Sequence, residues 1–438
     1  MNKKHEDRLL IQGGKIIDPA SGRDEVADLF IQDGQIKEIG SDLSSSIHQP
    51  ASSIQARGKW VVPGLVDMHV HLREPGREDE ETIESGGKAA VAGGFTTLCC
   101  MANTDPPIDD KLTVRFVLGQ AEDAGWARVF PVGAITRGLE GRELAEIGDL
   151  ISAGCIAISD DGHPVMNAEV MRRALEYTKP FGIPIISHAE DLHLAKGGSM
   201  NEGLVSTTLG MRGIPAIAEE VMVARDISLA EYTGGRLHIA HLSTAGSVQL
   251  VKEAKKRGAS VTAEVTPHHL LLTDEKVKTF ETQFKMNPPL RSEKDVEALR
   301  EGLADGTIDS IVSDHAPHAL FEKEVEFEAA PFGIVGLETT LGLVLTELVE
   351  KEVLSLSEAI AKLSCNPAKI LGLEGGELKV GGPGDITIID PEKEWTVDPS
   401  RFYSKSQNTP FGGWKLKGGV FATIVGGRVL YQDGKFIS

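Results

Sequence analysis

The sequence predicts an α/β protein: a TIM-like (β/α)8 barrel with a small discontinuous β-sandwich domain formed from both termini. From about residue 61, eight short apolar, β-branched runs alternate with longer stretches of helical periodicity. Both ends of the chain show strand-and-turn patterns instead. Eight strand–helix units in series favour parallel strands that close into a barrel. A doubly wound open sheet is the alternative, but the first predicted strand is not followed by the glycine-rich turn typical of that fold.

The barrel is expected to occupy residues 61–372, where predicted strands and helices follow one another. The strands are predicted at 61–66, 94–101, 128–135, 155–159, 183–187, 236–240, 260–265 and 309–313. Helical patterns are found at 81–92, 144–153, 216–230, 247–257, 294–303 and 336–348. Because parallel strands need crossover connections, these helices are expected to link one strand to the next.

Residues 1–60 and 373–438 have a different pattern. Each segment contains apolar runs broken by an Asp-Gly pair, at Asp33-Gly34 and Asp433-Gly434, which is typical of a tight hairpin turn. Two β-rich segments that flank a barrel can pair into one small domain, and we expect them to do so.

Composition excludes several classes of protein. The chain has 438 residues with 45 Lys and Arg against 65 Asp and Glu, a net charge of -20, and this disfavours a nucleic-acid partner. No apolar stretch reaches the roughly 20 residues of a membrane span, and the first residues do not resemble a signal peptide.

The four cysteines form no Cys-x-x-Cys pair, and we expect reduced thiols in a cytoplasmic protein. They are Cys99, Cys100, Cys155 and Cys365.

The most informative motif follows the first predicted strand. In an extended segment alternate side chains share a face, so His69 and His71 point the same way and could chelate one cation. Imidazole suits Zn²⁺ well. Arg73 continues the same period and places a cationic fork beside this pair. The competing interpretation is that these are two ordinary histidines in a turn. The residues at the other strand ends distinguish the two interpretations.

Four further strand ends carry His or Asp where the chain breaks into a loop. The residues are Asp161, His188, His241 and Asp314. Because catalytic residues of such barrels come from the carboxyl ends of the strands, these side chains are expected to converge. Four imidazoles and two carboxylates exceed the needs of one tetrahedral Zn²⁺ and favour a two-metal site. Metal lowers the pKa of bound water, so we expect hydroxide as nucleophile, with Asp314 as acid/base, for hydrolysis at an amide-like carbonyl or its reversal.

Longer motifs around these positions carry a family resemblance. They lie at 69–76, 160–162, 188–191, 266–270, 287–291, 313–318 and 331–333. Together, and over nearly the whole chain, they resemble class I dihydroorotase of the amidohydrolase superfamily. That family cyclises N-carbamoyl-L-aspartate reversibly to L-dihydroorotate, with loss of water, in pyrimidine biosynthesis.

The resemblance implies roles for individual residues. One metal would be held by His69, His71 and Asp161, and a second by Asp161, His188 and His241, with Asp314 next to both. The implied substrate-binding residues are Arg73, Asn103, Asn287 and His318, together with backbone groups of Phe332 and Gly333. Other amidohydrolases bridge their metals with a carboxylated lysine at the end of strand four. That strand has no lysine here, so Asp161 would have to bridge, and one or two Zn²⁺ ions remain possible.

Alternatives stay open at this point. Another cyclic amidohydrolase, an allantoinase or a hydantoinase, is the first rival, although a hydantoinase acting on uncharged substrates would not need Arg73. A non-catalytic partner of aspartate carbamoyltransferase is the second, and such a subunit would be expected to have lost ligands. We also expect a homo-oligomer with no nucleic-acid or membrane partner, and association with aspartate carbamoyltransferase is a further possibility.

Three other features have weaker signals. His268 and His269 end strand seven, where we expect a supporting or packing role. His163 is expected to be solvated. The charged run within 319–330 suggests a loop that closes over substrate.

Overall fold

The computed structural model describes residues 8–47 and 52–437. Residues 1–7 and 48–51 of the predicted N-terminal segment, and residue 438 of the C-terminal one, therefore lie outside the described residues.

An eight-stranded parallel barrel forms the centre of the molecule, and it confirms the predicted fold class. Its strands pair in chain order. They are Leu65–Val70, Phe95–Cys100, Arg128–Gly133, Ala157–Ser159, Ile185–Ser187, Leu237–Ile239, Val261–Val265 and Ser310–Ile311. The ring closes where Val70 pairs in parallel with His315, and the His71 amide donates to the His315 carbonyl at 2.8 Å.

The first predicted strand was placed wrongly, because two short strands lie where one was expected. Trp60–Pro63 pairs antiparallel with Ile386–Thr396 in the terminal sheet, and the barrel strand begins only at Leu65. The chain passes between the sheets at Gly64, where a Cβ atom would lie 2.2 Å from the Thr96 hydroxyl. The other seven strands begin and end within two residues of the predicted positions.

Helices cover the outside of the barrel. The longer ones are Ile83–Ala92, Lys111–Ala124, Ile147–Ala153, Ala168–Thr178, Ile217–Thr233, Ala245–Lys256 and Glu293–Ala304. Leu43–Ser46 is a short turn on the terminal sheet, and the other shorter α-helical turns are Leu192–Ala195, Leu204–Leu209, Pro267–Leu271, Leu320–Lys323, Thr340–Leu343, Leu356–Ile360 and Asn366–Leu371. π-helical turns Val344–Val349 and Ala361–Cys365 adjoin the last three. Side-chain caps start several helices; Asp110, for example, accepts from the amides of Leu112 and Thr113.

Both termini contribute to one continuous nine-stranded sheet beside the barrel. Its strands are Arg8–Asp18, Arg23–Gln32, Gln35–Gly40, Ser52–Gln55, Trp60–Pro63, Ile386–Thr396, Lys415–Val425, Arg428–Gln432 and Lys435–Phe436. Apolar residues of both segments, among them Ile16, Val61 and Ile388, share one core. Asp33 and Gly34 form the predicted tight turn between the second and third strands, and both have positive φ.

Within residues 8–47 and 52–437, no helix is long and apolar enough to cross a membrane.

Candidate metal centre and active site

The six predicted ligands converge at the carboxyl ends of the barrel strands, and all are buried. They are His69, His71, Asp161, His188, His241 and Asp314. His69 lies within strand one, next to its last residue, and the others lie one to three residues after their strands. The barrel therefore brings together residues that are up to 245 positions apart in the chain.

The carboxylate of Asp161 lies at the centre of the cluster. Its Oδ1 atom is 3.4 Å from His69 Nε2, 3.4 Å from His188 Nδ1 and 3.5 Å from His241 Nε2. Its Oδ2 atom lies 3.5 Å from His71 Nε2. Burial alone would raise the pKa of Asp161, but the facing imidazoles lower it well below its usual value. One carboxylate thus contacts histidines from three different strands.

Asp314 completes the cluster from strand eight. Its Oδ1 atom is 3.2 Å from His71 Nε2 and 3.6 Å from His69 Nε2. Its backbone has a positive φ of 47°, which is uncommon for a residue other than glycine and is often found at functional sites. Burial opposes ionisation, yet the neighbouring His69 and His71 hold the pKa of Asp314 below its usual value. Asp314 is therefore an ionised base that faces the histidine pair.

The donor set fits a metal ion. Ligand atoms about 2.0–2.2 Å from a tetrahedral Zn²⁺ lie about 3.3–3.5 Å from one another. The separations of 3.2–3.6 Å around Asp161 and Asp314 are close to that value and mostly longer than good hydrogen bonds. Two buried atoms that face this centre, His69 Nε2 and Asp161 Oδ1, have no hydrogen-bond partner. An ion shared by these groups would satisfy them.

Hydrogen bonds behind the first two histidines set their orientation. His71 Nδ1 lies 2.8 Å from the side-chain oxygen of Asn103, and His69 Nδ1 lies 2.6 Å from Glu264 Oε1. Both partners can only accept, so each ring carries its proton on Nδ1 and presents the Nε2 lone pair to the centre.

Glu264 was not among the residues predicted from the sequence to be functional. It lies inside the buried strand Val261–Val265, and its second oxygen is 3.0 Å from His238 Nε2. An acidic residue in an apolar strand was the available signal, because a fully buried carboxylate needs partners.

Arg73 lies at the rim of the site with a side chain that is 13% exposed. Its Nε atom donates to the Pro317 carbonyl at 3.1 Å and lies 3.0 Å from Glu80 Oε2. Both contacts use Nε, so in the part of the chain that the structure describes the two terminal nitrogens keep their donors available. Such a fork suits a carboxylate.

His318 is held from both sides. Its Nε2 atom is 2.7 Å from the Phe332 carbonyl, and its Nδ1 atom is 2.9 Å from Glu80 Oε1. The Gly333 amide donates to the Lys285 carbonyl at 3.0 Å. A substrate that bound the His318 ring or the Gly333 amide would therefore replace hydrogen bonds that these groups make within the protein.

The other predicted substrate residues are also at the site. Asn103 supports His71 and donates to the Asp161 carbonyl at 3.3 Å. Asn287 donates to Glu190 at 3.3 Å, while its buried side-chain oxygen has no partner.

The weaker candidates differ in their contacts. His269 is bonded on both ring nitrogens, to the Thr266 hydroxyl and the Pro288 carbonyl, at 2.8 and 2.9 Å. His268 is fully buried and its Nε2 atom has no partner. Burial lowers the pKa of His268 to about 4, so its ring is neutral. His163 is exposed.

The 319–330 segment combines exposed and anchored side chains. Phe321 is 67% exposed, whereas Lys323 is buried and donates to the Pro331 carbonyl at 2.8 Å. Phe327 is buried beside Met200. Closure over substrate stays a prediction.

Comparison with known proteins adds family information. Residues 58–247 match the family model described as dihydro-orotase-like, and residues 207–431 match that of the amidohydrolase family. The chain is 56% identical to a dihydroorotase of Syntrophotalea carbinolica, over 97% of this chain and 99% of the relative. It is 57% identical to a dihydroorotase of Pelotomaculum thermopropionicum over the same shares. Among solved structures, the L-hydantoinase (dihydropyrimidinase) of Arthrobacter aurescens has a TM-score of 0.87 and 26% identity, covering 98% of this chain and 97% of that one.

Proposed function

The chain belongs to the dihydroorotase family of amidohydrolases, and on this premise we propose how its residues carry out the reversible cyclisation of N-carbamoyl-L-aspartate to L-dihydroorotate and water. It is a hydrolase that acts on C–N bonds in cyclic amides. The observation that carries the proposal is the convergence of four histidines on the Asp161 carboxylate, with Asp314 beside them.

We propose one or two Zn²⁺ ions as the cofactor. His69 and His71 would hold one ion and His188 and His241 the other, with Asp161 between the pairs. The Oδ2 contact to His71 and the Oδ1 contacts to His188 and His241 agree with this division, whereas His69 contacts Oδ1 and is assigned to the first ion by its place beside His71 on strand one. Bound Zn²⁺ would supply a Lewis acid for the carbonyl and lower the pKa of water.

Asp314 carries the proton. In ring opening it takes a proton from the attacking water and delivers it to the ring nitrogen as the C–N bond breaks. In ring closure it takes the proton of the attacking carbamoyl nitrogen and gives it to the departing carboxylate oxygen, which leaves as water with a second proton from solvent. Its buried, ionised carboxylate lies 3.2 Å from His71 Nε2, inside the ligand cluster, so one group can serve both directions.

Substrate recognition is assigned to groups around this centre. The terminal nitrogens of Arg73 would grip the substrate carboxylate, with Asn103 and His318 as further donors. Asn287 and the backbone of Phe332–Gly333 would contact the ring amide. The unpartnered side-chain oxygen of Asn287 supports its part in this assignment.

Two measurements on the purified protein test the proposal. Ultraviolet absorbance follows hydrolysis of dihydroorotate, and we expect turnover that a chelator abolishes and added Zn²⁺ restores. Elemental analysis of the active protein then gives one or two ions per chain. Turnover of hydantoin or allantoin without turnover of dihydroorotate would reject the assignment.

We also propose a homo-oligomer in the cytoplasm. Light scattering gives the mass of the assembly. Co-purification tests whether aspartate carbamoyltransferase binds in addition.

A further inference from the structure

A polar segment from the C-terminal part of the chain packs against the loops of the active site. Residues 404–408 form no helix or strand, yet Ser404, Ser406 and Asn408 are only 5%, 3% and 3% exposed. Buried irregular backbone and buried polar side chains need hydrogen-bond partners. For this 404–408 segment, the partners lie on loops that follow barrel strands one and eight.

The first half of the 404–408 segment binds the loop after strand one. The Lys405 amide donates to Glu81 Oε1 at 3.2 Å, and the Ser404 hydroxyl donates to the other oxygen of the same carboxylate. The Ser406 hydroxyl donates to the Glu80 carbonyl at 2.7 Å. The positions of Glu80 and Glu81 therefore depend on this segment.

Asn408 binds the loops after strand eight with its whole side chain. Its Oδ1 atom accepts from the His318 amide at 3.2 Å. Its Nδ2 atom donates to the Ala316 carbonyl at 3.0 Å and to the Gly333 carbonyl at 3.2 Å. The Asn408 carbonyl accepts from the Val335 amide at 2.9 Å. One amide group thus joins the 316–318 loop to the 332–335 loop.

The loops that the segment joins carry the proposed substrate-binding groups. Glu80 lies 3.0 Å from Arg73 Nε through one oxygen and 2.9 Å from His318 Nδ1 through the other. His318 in turn is 2.7 Å from the Phe332 carbonyl. Glu80 and Asn408 therefore hold His318 from two directions, one at the ring and one at the backbone.

We propose that Asn408 is a positioning residue for substrate recognition. It acts by fixing the loops that carry His318 and Gly333 relative to each other. This inference rests on the proposed function, since it concerns the groups assigned to substrate. Asn408 contacts none of the six candidate metal ligands in the hydrogen bonds of the described residues. Its loss is therefore expected to change substrate affinity more than metal content or the chemical step.

The test compares Asn408→Ala with Asn366→Ala in the full-length, zinc-loaded protein. Asn366 is the control, because it is a partly buried asparagine whose Nδ2 atom donates to the Asp309 carbonyl at 2.8 Å, at the opposite end of strand eight. For Asn408→Ala we expect KM for dihydroorotate to rise roughly tenfold or more, with kcat changed less and zinc content unchanged. For Asn366→Ala we expect KM at the wild-type value, even where thermal stability falls.

A second variant at the same position tests whether a change in KM depends on Asn408 itself and not on misfolding of Asn408→Ala. Asn408→Asp has the same shape and keeps the acceptor for the His318 amide, but it places an anion against two carbonyl oxygens. We expect it to raise KM as well. A wild-type KM in either folded variant, an equal rise in the Asn366 control, or failure of both Asn408 variants to fold would overturn the proposal. If the wild-type protein does not turn over dihydroorotate, the proposed function itself fails, which is a distinct result.

Discussion

His69 Nδ1 lies 2.6 Å from Glu264 Oε1, and both side chains are fully buried. A carboxylate behind a metal-binding imidazole fixes the ring and raises its basicity. Glu264 is also 3.0 Å from His238 Nε2, so the carboxylate is itself held in place. The orientation of the first candidate ligand therefore depends on a residue of strand seven.

Replacing Glu264 should weaken metal binding. For Glu264→Gln we expect the affinity for Zn²⁺ to fall roughly 10–100-fold, because His69 loses a charged acceptor. Competition with a chromophoric chelator measures the change. Asp28→Asn is the matched control, since Asp28 is a buried carboxylate in the terminal sheet that accepts from the Gly13 and Leu43 amides. Unchanged zinc affinity in Glu264→Gln would contradict this role.

Acid should remove the contribution of Glu264 to stability. Burial would raise its pKa, but His69 and His238 lower the pKa of Glu264 to about 2, against about 4.3 in an unfolded chain. A carboxyl with a lowered folded pKa stabilises the protein fully above its unfolded pKa, and this stability is lost as pH falls toward 2. In metal-free protein, the gap in Tm between wild type and Glu264→Gln should be largest near pH 5 to 6 and narrow below about pH 4.5. A gap that stays constant into acid would contradict the lowered pKa of Glu264.

Replacing Asp314 should abolish catalysis while metal and substrate still bind. For Asp314→Asn we expect kcat to fall roughly 10²–10⁴-fold or more, because the amide cannot take up the proton. Zinc content and substrate binding should be largely kept. Asp385→Asn is the control, since Asp385 is a buried carboxylate just before the strand Ile386–Thr396, where it pairs with Arg128 at 2.7 Å. Near-wild-type activity in Asp314→Asn would exclude it as the acid/base.

Two arginines that share Glu80 allow a paired test of substrate recognition. Arg73 is 13% exposed at the site, whereas Arg77 is 44% exposed and binds the same carboxylate at 3.0 Å. For Arg73→Met we expect mainly a higher KM, with a loss in kcat/KM of about 2–5 kcal/mol. For Arg77→Met we expect less than about 1 kcal/mol, because surface ion pairs contribute little. Equal losses in steady-state kinetics would show that the arginines act only through Glu80.

The predicted strands illustrate what local pattern can and cannot establish. Seven barrel strands were predicted within two residues, because each buried apolar run is bounded by loop residues. The first was wrong because residues 60–70 form one apolar run that serves two sheets. The Pro63-Gly64 pair separates the two strands, and the close approach of Gly64 to Thr96 fixes the change from one sheet to the other. A single sequence carries no signal for a contact between positions so far apart.

The sequence by itself determined the ligand types and the barrel that brings them together. His69 and His71 share a face because extended backbone alternates its side chains, and strand ends meet because parallel strands align. Only the tertiary structure decided which residues support them. Glu264 lies 195 positions after His69, and Asn408 lies 90 positions after His318. Hydrogen bonds of this kind depend on distances of about 3 Å between distant segments, and no spacing in the chain encodes them.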